Sequence, residues 1–228
     1  MNRIDFNKYN RILGISTGIL SFVVFALTVE PTASYWDCAE YISTSAKLQI
    51  GHPPGAPLFQ MLGAIFSIFA LELNQIAYAV NMMSVLSSAL TIVFLFWSIS
   101  LIGKEILGLT NSLKTDEAIK VFGSSFLGSI TFTFTDSFWF NAVEAEVYAM
   151  ATLILAILFW LGLKWVDDFQ NQRADKWLVL ISFVVGLSFG VHFMGLLAIP
   201  SIGLLYYFKK YKKFNIKSFL IANIISVS

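Results

Sequence analysis

Long apolar stretches separated by short polar ones organise this chain. Ile12 to Thr28 carries no charge and follows Arg3, Lys8 and Arg11. Ile76 to Ile102 is a second uncharged stretch. Val121 to Thr135 and Val147 to Leu163 are two more, separated by the polar run Asp136 to Glu146. A bilayer core about 30 Å thick is crossed by about 20 apolar residues in a helix, so each stretch reads as a span. Trp177 to Phe208 is too long for one ordinary span. It holds Gly190, His192 and Gly195 near its middle and Pro200 beyond, and reads as two short helices with a turn near His192. A last apolar segment begins at Ser218. The predicted spans are 12–29, 76–102, 121–135, 147–163, 177–191, 194–208 and 218–228. They form one transmembrane domain that reads as the front part of a longer chain.

Composition agrees with that pattern. Of 228 residues, 57% are hydrophobic, 16% aromatic and 13% charged, about half the charge of a soluble domain. A net charge of +1 gives no field to attract nucleic acid, and Cys38, the single cysteine, offers neither a disulfide framework nor a redox motif. A cleaved signal peptide would share the basic start and apolar core of the first stretch, but Glu30-Pro31 stands where small cleavage-site residues belong. No internal repeat is visible.

Charge sets the expected orientation. Gly55 to Leu71 is apolar but short, and Pro53-Pro54 lead into it. If it does not span, every Lys and Arg except Lys47 falls on one side, which the positive-inside rule makes cytoplasmic. The run from Lys209 through Lys212 to Lys217 reads as an inner anchor. Residues 30–75 then form an outer loop with interfacial or re-entrant helices. The outer face receives Glu30, Asp37, Glu40, Glu72, Asp136, Glu144 and Glu146, with His52 and His192 at or near it. Acids obey the inside rule weakly, so their clustering points to a polar pocket facing the periplasm or lumen.

The first outer loop carries the clearest chemistry. Asp37 and Glu40 lie three apart and Thr44 four beyond, so on a helix they share a face. Two such carboxylates suit activation of a hydroxyl, one as base while the other orients it or holds a metal. The plain alternative is two solvated acids on an interfacial helix. His52-Pro53-Pro54-Gly55 is a rigid turn, fit to aim the imidazole at a phosphate or carboxylate, or simply an elbow. Lys47 either pairs with a phosphate or snorkels to headgroups. Tyr35 and Trp36 read as interface anchors. In the second loop Asn141, Glu144 and Tyr148 follow i, i+3, i+7 and would line one helical face, with Glu146 pointing elsewhere. These acids are functional or merely favour a helix dipole. His192 lines a pocket or is satisfied within the bundle.

The stretch W-D-C-A-E-Y (Trp36 to Tyr41), followed by G-H-P-P-G-A-P-L-F (Gly51 to Phe59), resembles the protein O-mannosyltransferase-like membrane family, which has bacterial members and an animal transmembrane relative. A-V-E-A-E-V-Y (Ala142 to Tyr148) and G-L-S-F-G-V-H-F (Gly186 to Phe193) look like further signatures. The family is similar in layout to the C-type glycosyltransferases. The resemblance implies many membrane helices, a polyprenyl-phosphate sugar as donor, and chemistry at the outer or lumenal face. It matches Asp37 to the first-loop catalytic acid and His52-Pro53-Pro54 to the H-P-P element. Related protein mannosyltransferases carry adjacent Asp and Glu, whereas Cys38 follows Asp37 here and Glu40 is the next acid.

The expectation is an all-α, multi-spanning membrane glycosyltransferase that moves mannose from a polyprenyl-phosphate donor to a protein Ser or Thr hydroxyl. Asp37 and Glu40 are the catalytic candidates. Lys47, His52, Pro53, Pro54, Asn141, Glu144, Glu146 and His192 are the donor- and substrate-binding ones. No metal ligands are assigned, although an acidic pair is able to hold a divalent ion. The expected partners are the bilayer, the lipid-linked sugar and a protein or glycan acceptor. The rivals are an ion- or proton-coupled transporter, whose acids would sit at the midplane and whose repeats would be inverted, and a non-catalytic subunit of the same fold.

Overall fold

The computed structural model describes residues 3–211 and 213–227; Lys212 and the final residue of the 218–228 segment lie outside them. The helices are α1 (Phe6–Leu27), α2 (Cys38–Lys47), α3 (Pro57–Ser67), α4 (Ile76–Ile106), α5 (Thr115–Thr133), α6 (Asp136–Ala142), α7 (Val147–Asp167), α8 (Lys176–Ser188), α9 (Ala198–Lys210) and α10 (Ile216–Val227). Two-residue strands Ile4–Asp5 and Ser112–Leu113 pair antiparallel.

Among the described residues three helical stretches are long and apolar enough to cross a bilayer: Phe6–Leu27, Leu73–Ile106 and Val147–Asp167. The protein is an all-helical integral membrane protein. Helix ends run past the apolar stretches because polar first turns belong to the helices. Asp5 accepts the Lys8 N–H at 2.8 Å and starts α1 six residues before Ile12. Glu117 accepts the Lys114 N–H at 2.7 Å and starts α5 at Thr115. The stretch around His192 breaks at Ser188, passes through a 3-10 turn (Phe193–Leu197) and resumes in α9, where Pro200 sits in the first turn and costs no helical hydrogen bond. At 13 residues each, α8 and α9 are about 20 Å long, and the 11 residues of α3 about 16 Å.

The middle of α1 packs through small residues, while most of its large apolar side chains face outward. Gly14, Thr17, Gly18 and Ser21 are buried on α1, whereas Ile12, Ile15, Ile19 and Val23 are exposed. Lipid tails are as apolar as Leu, so membrane helices gain by close backbone approach rather than by burying bulk. A Cβ on Gly18 would lie 2.3 Å from Val93 Cγ2, so α1 touches α4 there. Ser21 and Thr133 hydroxyls join α1 to α5 at 2.9 Å.

The bundle has two chemically distinct ends. At one, Lys104 lies between Asp167 and Asn111, Lys164 pairs with Asp167 at 2.9 Å, and Lys209 pairs with Glu105 at 3.4 Å. At the other, the Glu30 N–H bonds the Val143 carbonyl at 3.0 Å, and the Leu58 N–H bonds the Gly190 carbonyl at 2.7 Å. The first bond joins the 28–37 connection to 143–146 and the second joins the start of α3 to the 189–192 connection, and Glu30, Asp37, Glu144 and Glu146 sit on the first pair.

Candidate functional site

Two helix starts converge at this acidic end. Asp37 is the N-cap of α2 and Glu146 the N-cap of α7, yet neither side chain caps its own helix. Both carboxylates line an open pocket of about 450 Å³ with Trp36, Phe140, Asn141, Glu144 and Tyr148. Trp36, just before Asp37, has φ 61° and a ring 86% exposed. A left-handed backbone is rare for a bulky non-glycine residue and concentrates at functional sites.

The first loop is fastened from α4 and α3. Asn81 is fully buried, and its amide N–H groups reach the Glu30 carbonyl at 2.6 Å and the Thr32 carbonyl at 3.0 Å. Cys38 is buried with its thiol 4.0 Å from Asn81 Oδ1, and burial pushes that thiol's pKa up. The Cys38 side chain therefore packs inward, and the second acid of this loop, Glu40, comes one helical turn later. Oriented to suit its neighbours, the Gln60 amide accepts the Gly51 N–H at 3.1 Å and donates to the Gln49 carbonyl at 3.3 Å. Thr44, expected on the acidic face, is instead buried beside Gln60 at 3.1 Å.

Glu40 and His52 meet across this loop. Glu40 Oε1 accepts the His52 backbone N–H at 2.6 Å, and Oε2 lies 3.1 Å from His52 Nδ1. The backbone bond, then the ring bond, lower the Glu40 pKa, and the Glu40 bond raises that of His52. The far ring nitrogen, Nε2, faces Asp37 Oδ2 at 3.8 Å. Pro53 and Pro54, joined by a cis peptide, carry the chain away from the ring into α3. Gly51 is needed here, since a Cβ would lie 2.8 Å from the end of the Gln60 amide and 3.1 Å from Glu40 Oε1.

The second loop corrects the helical-face reading. Asn141, Glu144 and Tyr148 do not lie on one continuous helix, because α6 ends at Ala142 and α7 begins at Val147. The Val143 carbonyl is taken by the Glu30 N–H, and the Glu146 N–H turns back to the Glu144 carbonyl at 2.9 Å. The break turns Glu146 into the pocket rather than away from it. Glu144 and Glu146 are 2% and 5% exposed, and Oε1 of each has no hydrogen-bond partner among the described residues. Burial first, then the neighbouring charge of Asp37, raises the Glu146 pKa to about 7; burial raises that of Glu144. Tyr41 is pushed up to about 12, again by burial ahead of Glu146.

The remaining candidates lie further out. Lys47 is exposed at the opposite end of α2 from Asp37 and makes no ion pair with these acids among the described residues. His192 caps the 3-10 turn by accepting the Met194 N–H at 3.2 Å, with its ring 5.5 Å from Tyr148. Asn141 bonds its amide to the Ser137 carbonyl at 2.8 Å while lining the pocket. Sequence reasoning passed over Asn81 and Gln60. The available signal was a lone amide inside an apolar run, since polar groups at membrane depth are seldom idle.

Residues 37–215 match the family described as protein O-mannosyl-transferase TMEM260 N-terminal domain. The chain belongs to this family. It is the family to which the first-loop motifs point, and the match begins at Asp37 itself. Among curated relatives, protein O-mannosyl-transferase tmem260 of Dictyostelium discoideum is 26% identical over 191 residues, covering 78% of this chain and 21% of that protein. Protein O-mannosyl-transferase TMEM260 of Mus musculus is 25% identical over 165 residues, covering 72% and 21%. The chain thus spans about a fifth of the length of these relatives. No solved structure shows significant similarity.

Proposed function

We propose that this chain carries the reactive end of a membrane glycosyltransferase that moves mannose from a polyprenyl-phosphate donor to a protein Ser or Thr hydroxyl. The observation that carries the reading is the meeting of Asp37, Glu40, His52 and Glu146, drawn from two separate loops, at the acidic end of the bundle. The names of the relatives support the activity. Sorting of lysines to the opposite end supports a cytoplasmic N-terminus and a pocket facing the periplasm or lumen. Nucleotide sugars stay in the cytoplasm, so transfer outside calls for a lipid-carried donor whose tail lies between helices and whose phosphate lies at the interface.

In this reading the acceptor oxygen bonds to the anomeric carbon as the bond from that carbon to the donor phosphate breaks. The electron pair leaves with the phosphate, and the hydroxyl proton passes to Asp37. A hydroxyl is a weak nucleophile at neutral pH and needs such a base. Glu40 orients His52, while Asn141, Glu144 and Glu146 shape the pocket. Full-length protein in liposomes, given labelled polyprenyl-phosphate mannose and a Ser/Thr peptide, should label the peptide. Ion flux without transfer would instead identify a transporter, and neither activity a non-catalytic subunit.

A further inference from the structure

The proposed site is short of positive charge for the step assigned to it. Asp37, Glu40, Glu144 and Glu146 sit together, and among the described residues no lysine or arginine pairs with any of them. A polyprenyl-phosphate sugar arrives with one negative charge on its phosphate and leaves the anomeric carbon with two. That growing charge needs a cation or N–H donors beside it.

The geometry offers a place for a cation. Glu40 is an acceptor, so the His52 nitrogen beside it at 3.1 Å, Nδ1, is the protonated one. In the neutral imidazole, the form that binds a metal, the lone pair on Nε2 then faces Asp37 Oδ2 at 3.8 Å. Two acceptors at that separation share no hydrogen bond, but a metal with bonds of about 2.1 Å spans them. A ligating histidine whose other N–H is held by a carboxylate is the usual arrangement of such centres. A separate observation points the same way. Glu146 lines the pocket beside Asp37, is 5% exposed, and has one carboxylate oxygen with no hydrogen-bond partner among the described residues.

We infer that Asp37, through Oδ2, and His52 bind a divalent cation, with Glu146 lining the pocket beside Asp37 and Glu40 orienting the imidazole, and that this ion receives the donor's phosphate. The inference rests on the glycosyl-transfer reading for the phosphate and on geometry alone for the ion. Carboxylate and water ligands suit Mn²⁺, which serves as the probe.

The test uses full-length protein in detergent, stripped with EDTA and titrated with Mn²⁺ alone while free Mn²⁺ is followed by electron paramagnetic resonance. One ion should bind per chain. Glu40→Gln, which loses only the support of the imidazole, should weaken binding by roughly 10–100-fold, and His52→Ala by at least as much. Glu72→Gln, an acid outside the cluster, should leave it unchanged. Mn²⁺ should raise the Tm of the parent protein and not that of His52→Ala; Glu40→Gln decides the matter if His52→Ala does not fold. No stoichiometric binding, or equal affinity in all variants, overturns the inference. Undiminished mannose transfer after chelation removes the cation and leaves the transfer reading standing. Mn²⁺ bound without any transfer does the reverse.

Discussion

Glu40 spends both carboxylate oxygens on one residue, His52, and Gly51 makes that possible by leaving room between Glu40 and Gln60. Gly51→Ala should therefore act on the site rather than on the bundle. Its added methyl group must displace Glu40 or Gln60, and a misplacement of about 1 Å costs on the order of 10²-fold in rate. We expect mannose transfer by full-length protein to fall about that far, with membrane insertion and Tm nearly unchanged. Kinetics and thermal unfolding in detergent check this together, and unchanged turnover would deny the Glu40–His52 contact a part. Asp37 and Glu146 show a different economy. Each occupies a helix N-cap without capping it, which leaves both carboxylates for the pocket.

Among the elements, α1, α4 and α7 were legible from the sequence because length and apolar character are sufficient for them. Their polar first turns were not, since Asp5 and Glu117 act through capping bonds that hydropathy does not register. The spacing of Asp37 and Glu40 gave them one face if a helix formed, and the structure makes Asp37 the N-cap of α2 and Glu40 its third residue. The spacing did not predict Thr44 turning into the core, because that depends on α3 packing against α2. The break between α6 and α7 was hidden for the same reason. Its cause is a bond from Glu30, more than a hundred residues away in sequence. Contact between α1 and α4 yields a prediction of its own. Gly18→Leu forces bulk against Val93 and should cost about 1–3 kcal/mol, seen as a lower Tm and poorer recovery from detergent. A neutral outcome would mean that α1 does not approach α4 at Gly18.

Taken whole, the molecule is a bundle with lysines other than Lys47 gathered at one end, where Asp167, Asp168 and Glu105 pair with them, and at the other end carboxylates that no lysine or arginine pairs among the described residues. If that polarity follows the membrane, the connections at 107–114 and 168–175 are cytoplasmic. In a Cys38→Ala background, Asn111→Cys and Asn171→Cys, both at exposed positions, should resist a membrane-impermeant thiol reagent in intact cells and react after permeabilisation. Labelling of both in intact cells would put the acidic pocket on the cytoplasmic side, where soluble nucleotide sugars make a lipid-carried donor unnecessary.

The central claim is that Asp37 takes the acceptor's proton at this acidic end, and one substitution measures it. Asp37→Asn keeps the size of the side chain and most of its hydrogen bonding but removes its basicity. Transfer from labelled polyprenyl-phosphate mannose to a Ser/Thr peptide by full-length protein should fall by roughly 10² or more, with membrane insertion retained. Glu40→Gln should fall less, because it acts through His52. Near-normal turnover in Asp37→Asn, with Glu40→Gln inactive, would contradict the assignment of the base; near-normal turnover in both would contradict the site.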